Sequence, residues 1–312
     1  MISTAFKNAS CFIVAALALL CLTSTPATAD TLYAGLGGLN NGASTNDGAL
    51  AIVNQTTAAV TIVGHPIGTP PDLITRISGL AFDSAGNLFG STLYPAGGFP
   101  PPSGPRSSNL ITLNPNTGAL ITSTAITAGG INLSIADLAI QPVTNTLFGI
   151  TNPDGVTHSP GDLYSINTST GVGTLIGNTG FFFNSIAFAP NGTLYLAAEQ
   201  FGMMGPDPTT DQLDTINPAT AAVLTSVSTT DFFGALGVRS DGTIFGGNGD
   251  LHQLFTIDPT TGAETLIGDT GTNFIGDLAF STPETGATLS LLAIGFAGLL
   301  GCVQTLRASP RK

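Results

Sequence analysis

One pattern occurs five times between residues 31 and 282, and it constrains the fold more than any other feature of the chain. Each copy has an apolar triplet, a Gly-containing turn, a short apolar strand, a second strand that ends in an Asn or Asp turn, and a third strand. The triplets are Leu80-Ala81-Phe82, Leu138-Ala139-Ile140, Ile186-Ala187-Phe188, Leu236-Gly237-Val238 and Leu278-Ala279-Phe280. The turns begin at Asn54, Asn114, Asn167, Asn217 and Asp258, at steps of 60, 53, 50 and 41 residues. Those steps are close to the length of a four-stranded propeller blade.

The segments of each copy are typical of strands. They are short and rich in β-branched residues, and no helical periodicity is sustained outside the two ends of the chain. The fifth triplet lacks the following strand of the Gly-Thr-Leu-Tyr type, and Thr31-Leu32-Tyr33-Ala34-Gly35 supplies such a strand. The sequence therefore predicts an all-β, five-bladed propeller over residues 30–281, whose closing blade combines strands from both of its ends.

The first 29 residues have the layout of an export signal. Lys7 lies in a polar head, an apolar run follows over residues 12–22, and Ala27-Thr28-Ala29 precedes Asp30. This order is typical of a signal peptide, and we expect cleavage after Ala29. The apolar run is shorter than the roughly 20 residues that a retained membrane anchor needs.

Residues 282–312 form a second targeting segment. A motif at 282–286 contains Pro283, Glu284, Thr285 and Gly286. An apolar stretch over residues 287–303 follows, and then a basic tail over residues 304–312. The stretch lies at the lower limit for a transmembrane helix, and the tail would hold that end in the cytoplasm. A buried core helix is the alternative, although the segment lies outside the repeat.

This three-part end resembles the PEP-CTERM family of sorting signals, which exosortase-type membrane proteases handle. It also looks like the LPxTG signal of sortases, but Thr282 stands where that motif has Leu. The resemblance implies an exported protein that is held at the cell surface or released from it, with an exosortase-type protease as its partner. The repeat itself resembles propellers of the NHL and WD40-like type in layout, without their Trp-Asp signature, because the chain has no Trp.

Composition excludes several classes of function. The three cysteines, Cys11, Cys21 and Cys302, lie in the two end segments, so the predicted body has no disulfide and no cysteine catalysis. The formal net charge of the chain is −12, and residues 30–282 contain three Arg and no Lys. Such an acidic body would repel nucleic acid, so we expect no nucleic-acid partner. Acidity of this kind favours solubility, and binding of divalent cations is the alternative.

Two carboxylates are candidates for the central channel. Asp137 and Asp277 each lie directly before an apolar triplet, where the other copies have Gly79, Ser185 and Ala235. A calcium ion held by these carboxylates and by backbone carbonyls is chemically plausible. Because the set of oxygens is incomplete, solvated channel residues without a metal are the favoured interpretation.

The connections between strands predict two different faces. Tight turns lie on one face, and long, unequal loops such as those over residues 93–108 and 199–211 lie on the other. Loops on a rigid scaffold are usual places for binding. The aromatic groups before the inner strands, at residues 181–183, 232–233 and 274, suggest a hydrophobic platform, but their recurrence favours packing between blades.

No catalytic motif is evident. The three histidines, His65, His158 and His252, lack metal-ligand spacing, and no G-x-S-x-G sequence occurs. The sequence alone does not show whether Asp207 and Asp211 lie close enough to act as a pair of catalytic carboxylates. We therefore expect a non-enzymatic binding or structural module at the cell surface or in an extracellular matrix, with an extracellular glycan, polymer or protein as partner. The alternative is a calcium-dependent propeller hydrolase or lyase that acts on a sugar or lactone.

Overall fold

The computed structural model describes residues 30–37, 46–66, 74, 76–93, 107–152, 160–199, 201–202, 205–206, 211–271 and 274–281. These residues form five antiparallel sheets of four strands each and two small hairpins. The five-bladed propeller predicted from the repeat is confirmed. The described residues contain no helix, and hence none long and apolar enough to cross a membrane. The predicted signal peptide and C-terminal targeting segment lie outside the described residues.

The blades follow one another along the chain, apart from the closing blade, which takes strands from both ends of the described region. Its strands, from the inside outwards, are β24 (Ile275–Ser281), β1 (Thr31–Leu36), β2 (Leu50–Val53) and β3 (Val60–Gly64). The second blade has β4 (Ile77–Phe82), β5 (Leu88–Thr92), β6 (Asn109–Leu113) and β7 (Leu120–Ala125). The third has β10 (Ile135–Ile140), β11 (Leu147–Thr151), β12 (Asp162–Ile166) and β13 (Gly173–Asn178).

The fourth and fifth blades complete the ring. The fourth has β14 (Phe183–Phe188), β15 (Leu194–Glu199), β18 (Gln212–Ile216) and β19 (Val223–Ser228). The fifth has β20 (Ala235–Val238), β21 (Ile244–Asn248), β22 (Gln253–Ile257) and β23 (Glu264–Asp269). Two connections that the sequence predicts as plain loops instead contain short hairpins, β8 (Thr127–Ala128) with β9 (Ile131–Asn132) and β16 (Phe201–Gly202) with β17 (Gly205–Pro206).

The closing blade has the pairing between its two ends that the sequence predicts. Thr31 pairs with Ser281, Leu32 with Phe280 and Ala34 with Leu278 across the β1–β24 ladder. The Thr31 amide also donates to the Ser281 hydroxyl at 3.3 Å. Residues from the two ends of the described region therefore share one sheet, which leaves no open inner edge between the first and last blades.

The hydrophobic core lies between neighbouring blades. The three inner strands of each blade turn apolar side chains towards the neighbouring blades, so five clusters of described residues occupy the five junctions. Aromatic pairs cross three of these junctions, with ring centroids 5.2–5.3 Å apart: Tyr33 with Phe82, Phe148 with Phe188, and Phe245 with Phe280. Contacts at these distances stabilise the junctions beyond the burial of area alone.

The Asn or Asp turns explain why their sequence recurs. In the second blade the Asn114 Oδ1 accepts the amides of Asn116 and Thr117 at 2.9 and 3.2 Å, which closes the turn. The residue after Thr117 is Gly118, with φ of +67°. Glycine adopts this left-handed backbone without the penalty that a Cβ atom imposes.

Candidate functional site

The candidate site lies on the inner strands, around the axis of the ring. The strands β24, β4, β10, β14 and β20 follow one another as neighbours around that axis. The residues directly before the apolar triplets are Asp277, Gly79, Asp137, Ser185 and Ala235 in that order. Asp277 and Asp137 thus lie in blades separated by one intervening blade, which contributes Gly79.

The Asp137 carboxyl group connects the third blade with the fourth. Its Oδ1 accepts the amide of Leu138 at 2.6 Å, and its Oδ2 accepts the Ser185 hydroxyl at 2.6 Å and the Ile186 amide at 2.8 Å. Ser185 and Ile186 both belong to β14 of the next blade. One buried side chain therefore satisfies three donors on two blades.

The Asp277 carboxyl group makes the equivalent connection between the closing blade and the second blade. Its Oδ1 accepts the Leu278 amide at 2.6 Å, and its Oδ2 accepts the Leu80 amide of β4. An innermost strand has one edge without a neighbouring strand, so amides on that edge need another acceptor. Carboxylate oxygens are strong acceptors for such amides.

The two carboxyl groups also meet each other. Asp137 and Asp277 are joined by a side-chain hydrogen bond, and both are 0% exposed. Gly79 stands between them in the ring, and a Cβ atom there would lie 2.6 Å from the Leu138 amide nitrogen and 2.7 Å from the Ser91 Oγ. The absence of a side chain at residue 79 thus lets β4 lie close to the backbone of β10.

Burial dominates the electrostatics of the pair. It raises the pKa of Asp137 to about 7, although the hydrogen bonds from Asp277, Ser185 and the backbone oppose the shift. Burial also raises the pKa of Asp277 well above its usual range, and the negative charge of Asp137 adds to this shift. Two adjacent carboxylates without a buried cation cannot both ionise at low cost. We therefore assign the proton to Asp277, which donates to Asp137.

The prediction that Asp137 and Asp277 are solvated channel residues is wrong, because both carboxyl groups are fully buried. The fit to calcium is also poor. Four of the contacts to the carboxyl oxygens come from backbone amides and one from a hydroxyl, which are donors rather than metal ligands. Among the described residues, no group of three or more His, Cys, Asp or Glu side chains is placed to hold a metal ion.

Two serine side chains near the axis also form hydrogen bonds within the propeller. The Ser78 hydroxyl lies 2.9 Å from the Ser91 hydroxyl and donates to the Ile135 carbonyl at 3.0 Å, which connects the second blade with the third. Both serines are 0% exposed. No pattern in the sequence indicates this contact, because Ser78 lies beside an irregularity of the β4–β5 register.

The aromatic residues before the inner strands divide between two environments. Phe233 is 1% exposed and lies in the cluster between the fourth and fifth blades, as the prediction of packing between blades requires. Its ring also lies 5.6 Å from that of Phe255 in its own blade. Phe274 instead lies under the guanidinium of Arg76, with 5.6 Å between the cation and the ring centroid. The Phe183 side chain is outside the described part.

The remaining candidates do not assemble into a catalytic group within the described residues. His65 is exposed, His252 lies in a left-handed turn with φ of 54°, and Asp211 is buried at the start of β18. His158, Asp207, the Ala27 and Ala29 cleavage signal, and the Pro283–Gly286 sorting motif lie outside the described residues.

One further buried carboxyl group was not predicted from the sequence. Asp214 is 0% exposed at a strand position where other blades have Ile111, Tyr164 and Phe255. Its Oδ2 accepts from Gln212 at 2.8 Å, and burial raises its pKa. Alignment of the third strands of the blades could have identified this polar residue among apolar ones.

Comparison with known proteins gives similarity of fold alone. No protein-family model matches the sequence, and no curated protein matches it. A chain of the nidogen/laminin complex is 12% identical, with a TM-score of 0.47, and the match covers 81% of this chain and 98% of that one. The Dos1 propeller is 13% identical over 77% of this chain and 56% of its own, with a TM-score of 0.40. A chain of hydrazine synthase from Kuenenia stuttgartiensis is 14% identical over 64% of this chain, with a TM-score of 0.40, and the match spans 51% of its length.

Proposed function

We propose that this chain is an exported, non-enzymatic propeller that acts as a binding or structural module at the cell surface or in an extracellular matrix. The five-bladed fold is consistent with a binding or structural module. The observation that carries the proposal is the use of the axial polar groups: Asp137, Asp277 and Ser78 are buried and bonded within the scaffold. Groups that hold blades together in this way are not free to act on a substrate.

We place the binding surface on the face with the long loops. The opposite face consists of tight turns whose polar side chains cap their own backbone, as Asn114 and Asp83 do. The long loops leave the rigid blades at Thr92, Thr151 and Glu199, and their lengths differ from blade to blade. Variable loops on a regular scaffold favour recognition of an extracellular glycan, polymer or protein.

A binding screen tests this surface. The full chain, purified in mild detergent, is applied to arrays of bacterial polysaccharides and matrix proteins, beside a variant in which residues 95–105 are replaced by a Gly-Ser linker. A matched control carries Asn116→Ser in a tight turn on the opposite face. Binding that the loop variant loses and the control keeps supports the proposal. Calcium-dependent turnover of a sugar or lactone substrate would overturn it in favour of the hydrolase or lyase alternative.

The proposed destination rests on the two end segments. Residues 1–29 have the order of a signal peptide, and residues 282–312 have the motif, apolar stretch and basic tail of a PEP-CTERM-like signal. A reporter inserted before Thr282 would reach the surface in a host with the exosortase-type protease. Replacement of Pro283 and Glu284 by Ala should retain it in the membrane, while replacement of Ser290 by Ala should not. Equal surface display of both variants would refute the sorting role.

A further inference from the structure

We propose that Asp137 and Asp277 hold one shared proton that keeps the ring closed, so that the propeller loses stability when the proton leaves at alkaline pH. The pair is buried within the inner strands, and this inference stands whatever ligand the proposed binding face takes. It concerns the stability of the ring as a whole, because the two side chains together connect four consecutive inner strands, β24, β4, β10 and β14.

The contacts show which junctions depend on the pair. Asp277 accepts from Leu80 in the second blade, and Asp137 accepts from Ser185 and Ile186 in the fourth. The bond between the two carboxyl groups joins β24 with β10, which lie on either side of the second blade. A chain of side-chain bonds therefore extends from the closing blade to the fourth blade, and its central link requires a proton.

The described strands around the pair carry no positive charge to replace that proton. The strands around the pair are the five inner strands and their paired neighbours β1, β5, β11, β15 and β21. The other titratable side chains on these strands are Tyr33, Tyr195 and Glu199, and none of the strands carries Lys, Arg or His. Loss of the proton would thus leave two buried negative charges in contact, which repel each other without screening by solvent.

The direction of the pH effect follows from proton binding. The usual pKa of an aspartate in an unfolded chain is about 3.9. In the folded ring burial raises the pKa of Asp137 to about 7 and that of Asp277 well above its usual range. Between these values the folded state binds more protons than the unfolded state. Stability is therefore highest at acidic pH and falls as the pH rises through neutrality.

The variant Asp277→Asn tests the proposal. The amide nitrogen that it introduces can donate to Asp137 as the protonated Asp277 does, and its amide oxygen can accept from the Leu80 or Leu278 backbone. The full chain in mild detergent is unfolded thermally, followed by circular dichroism, from about pH 5 to about pH 9. We expect the folding equilibrium constant of the wild type to fall by up to roughly tenfold per pH unit over the range in which the folded state holds one proton that the unfolded state has lost. The variant should show a much flatter profile and a higher midpoint at the alkaline end.

Asp241→Asn is the matched control. Asp241 is exposed and pairs with Arg239 at 2.7 Å, so its loss should leave the alkaline slope unchanged. A wild-type midpoint that is constant over this range, or an equal slope in Asp277→Asn, would overturn the proposal. Calcium is a further test. If calcium raised the alkaline unfolding midpoint of the wild type but not that of Asp277→Asn, the proposal would also be overturned, because the pair would then be a cation site. If Asp277→Asn does not fold, the infrared band of a protonated carboxyl group in the wild type decides: it should be present at about pH 6 and weaken as the pH rises, and its absence at about pH 6 refutes the shared proton.

Discussion

Residues at the contacts between turns and outer strands show how closely the blades approach. In each blade the turn between the third and fourth strands contacts the end of the outermost strand of the preceding blade. In every one of these contacts at least one partner is glycine. The pairs are Gly118 with Gly64, Gly171 with Ala125, Ala221 with Gly177, Gly262 with Ser228, and Ala58 with Gly268. Ala58 and Ala221 have the same left-handed backbone as the glycines, with φ of 59° and 61°. Backbone proximity, as well as backbone angle, therefore restricts these positions to small residues.

Two glycines of the fifth blade separate these two effects. Gly262 and Gly242 have φ of +73° and +89°, but a Cβ atom at 262 would overlap the Ser228 carbonyl oxygen, whereas one at 242 meets nothing within 4 Å. Gly242→Ala should lower the free energy of unfolding by about 1–2 kcal/mol through backbone strain alone. Gly262→Ala should cost clearly more, because the two blades must also move apart. Chemical denaturation measures both, and equal losses would contradict the role of blade contact.

At the level of the element, the turn between the third and fourth strands of a blade depends on its first side chain. Asn114 accepts two amides of its own turn, and Asp258 accepts the Thr260 amide at 2.8 Å in the same place. The turn thus needs a short side chain with an acceptor oxygen, which Asn and Asp both supply.

Asn114→Ala should therefore lower the free energy of unfolding by about 1 kcal/mol, because two amides lose their acceptor. Asn114→Asp keeps the acceptor and should cost little, as the natural Asp258 turn indicates. Thermal unfolding of the two variants beside the wild type provides the measurement. A loss in Asn114→Asp as large as that in Asn114→Ala would show that the side-chain acceptor is not what stabilises the turn.

At the scale of the whole molecule, the closing blade joins two parts of the chain that are distant in sequence, β1 and β24, in one sheet. Because Thr31 and Ser281 are register partners, a linker of a few residues can join them without changing the ring. A circular permutant that joins 281 to 30 and begins at Gly86, in an exposed turn, should fold with a circular dichroism spectrum like that of residues 30–281. The same permutant without residues 275–281 lacks the inner strand β24 and should be unfolded or aggregated by size-exclusion chromatography. A folded, monomeric truncated form would show that closure is not required.

The ring could be predicted from the sequence more completely than its axis. The repeat indicates where each residue lies within a blade, so the blade number, the β1–β24 pairing and the packing of Phe233 followed from it. It could not show that Asp137 and Asp277 meet, because that contact depends on how five blades close around the axis. The hairpin over residues 127–132 was missed for a different reason: strands of two residues leave no periodicity to detect.

Closure by the last strand also sets an order of events in time. While the chain is being made, β1 is among the first strands to appear, yet its inner partner β24 comes about 240 residues later. The intervening blades can form their own hairpins early, since their pairings are local. The N-terminal strand must wait with one edge open, exposed to proteases and to other nascent chains, until the final strand is released. The last seven residues of the propeller therefore complete the ring, and β1 gains its inner neighbour only when they have been made.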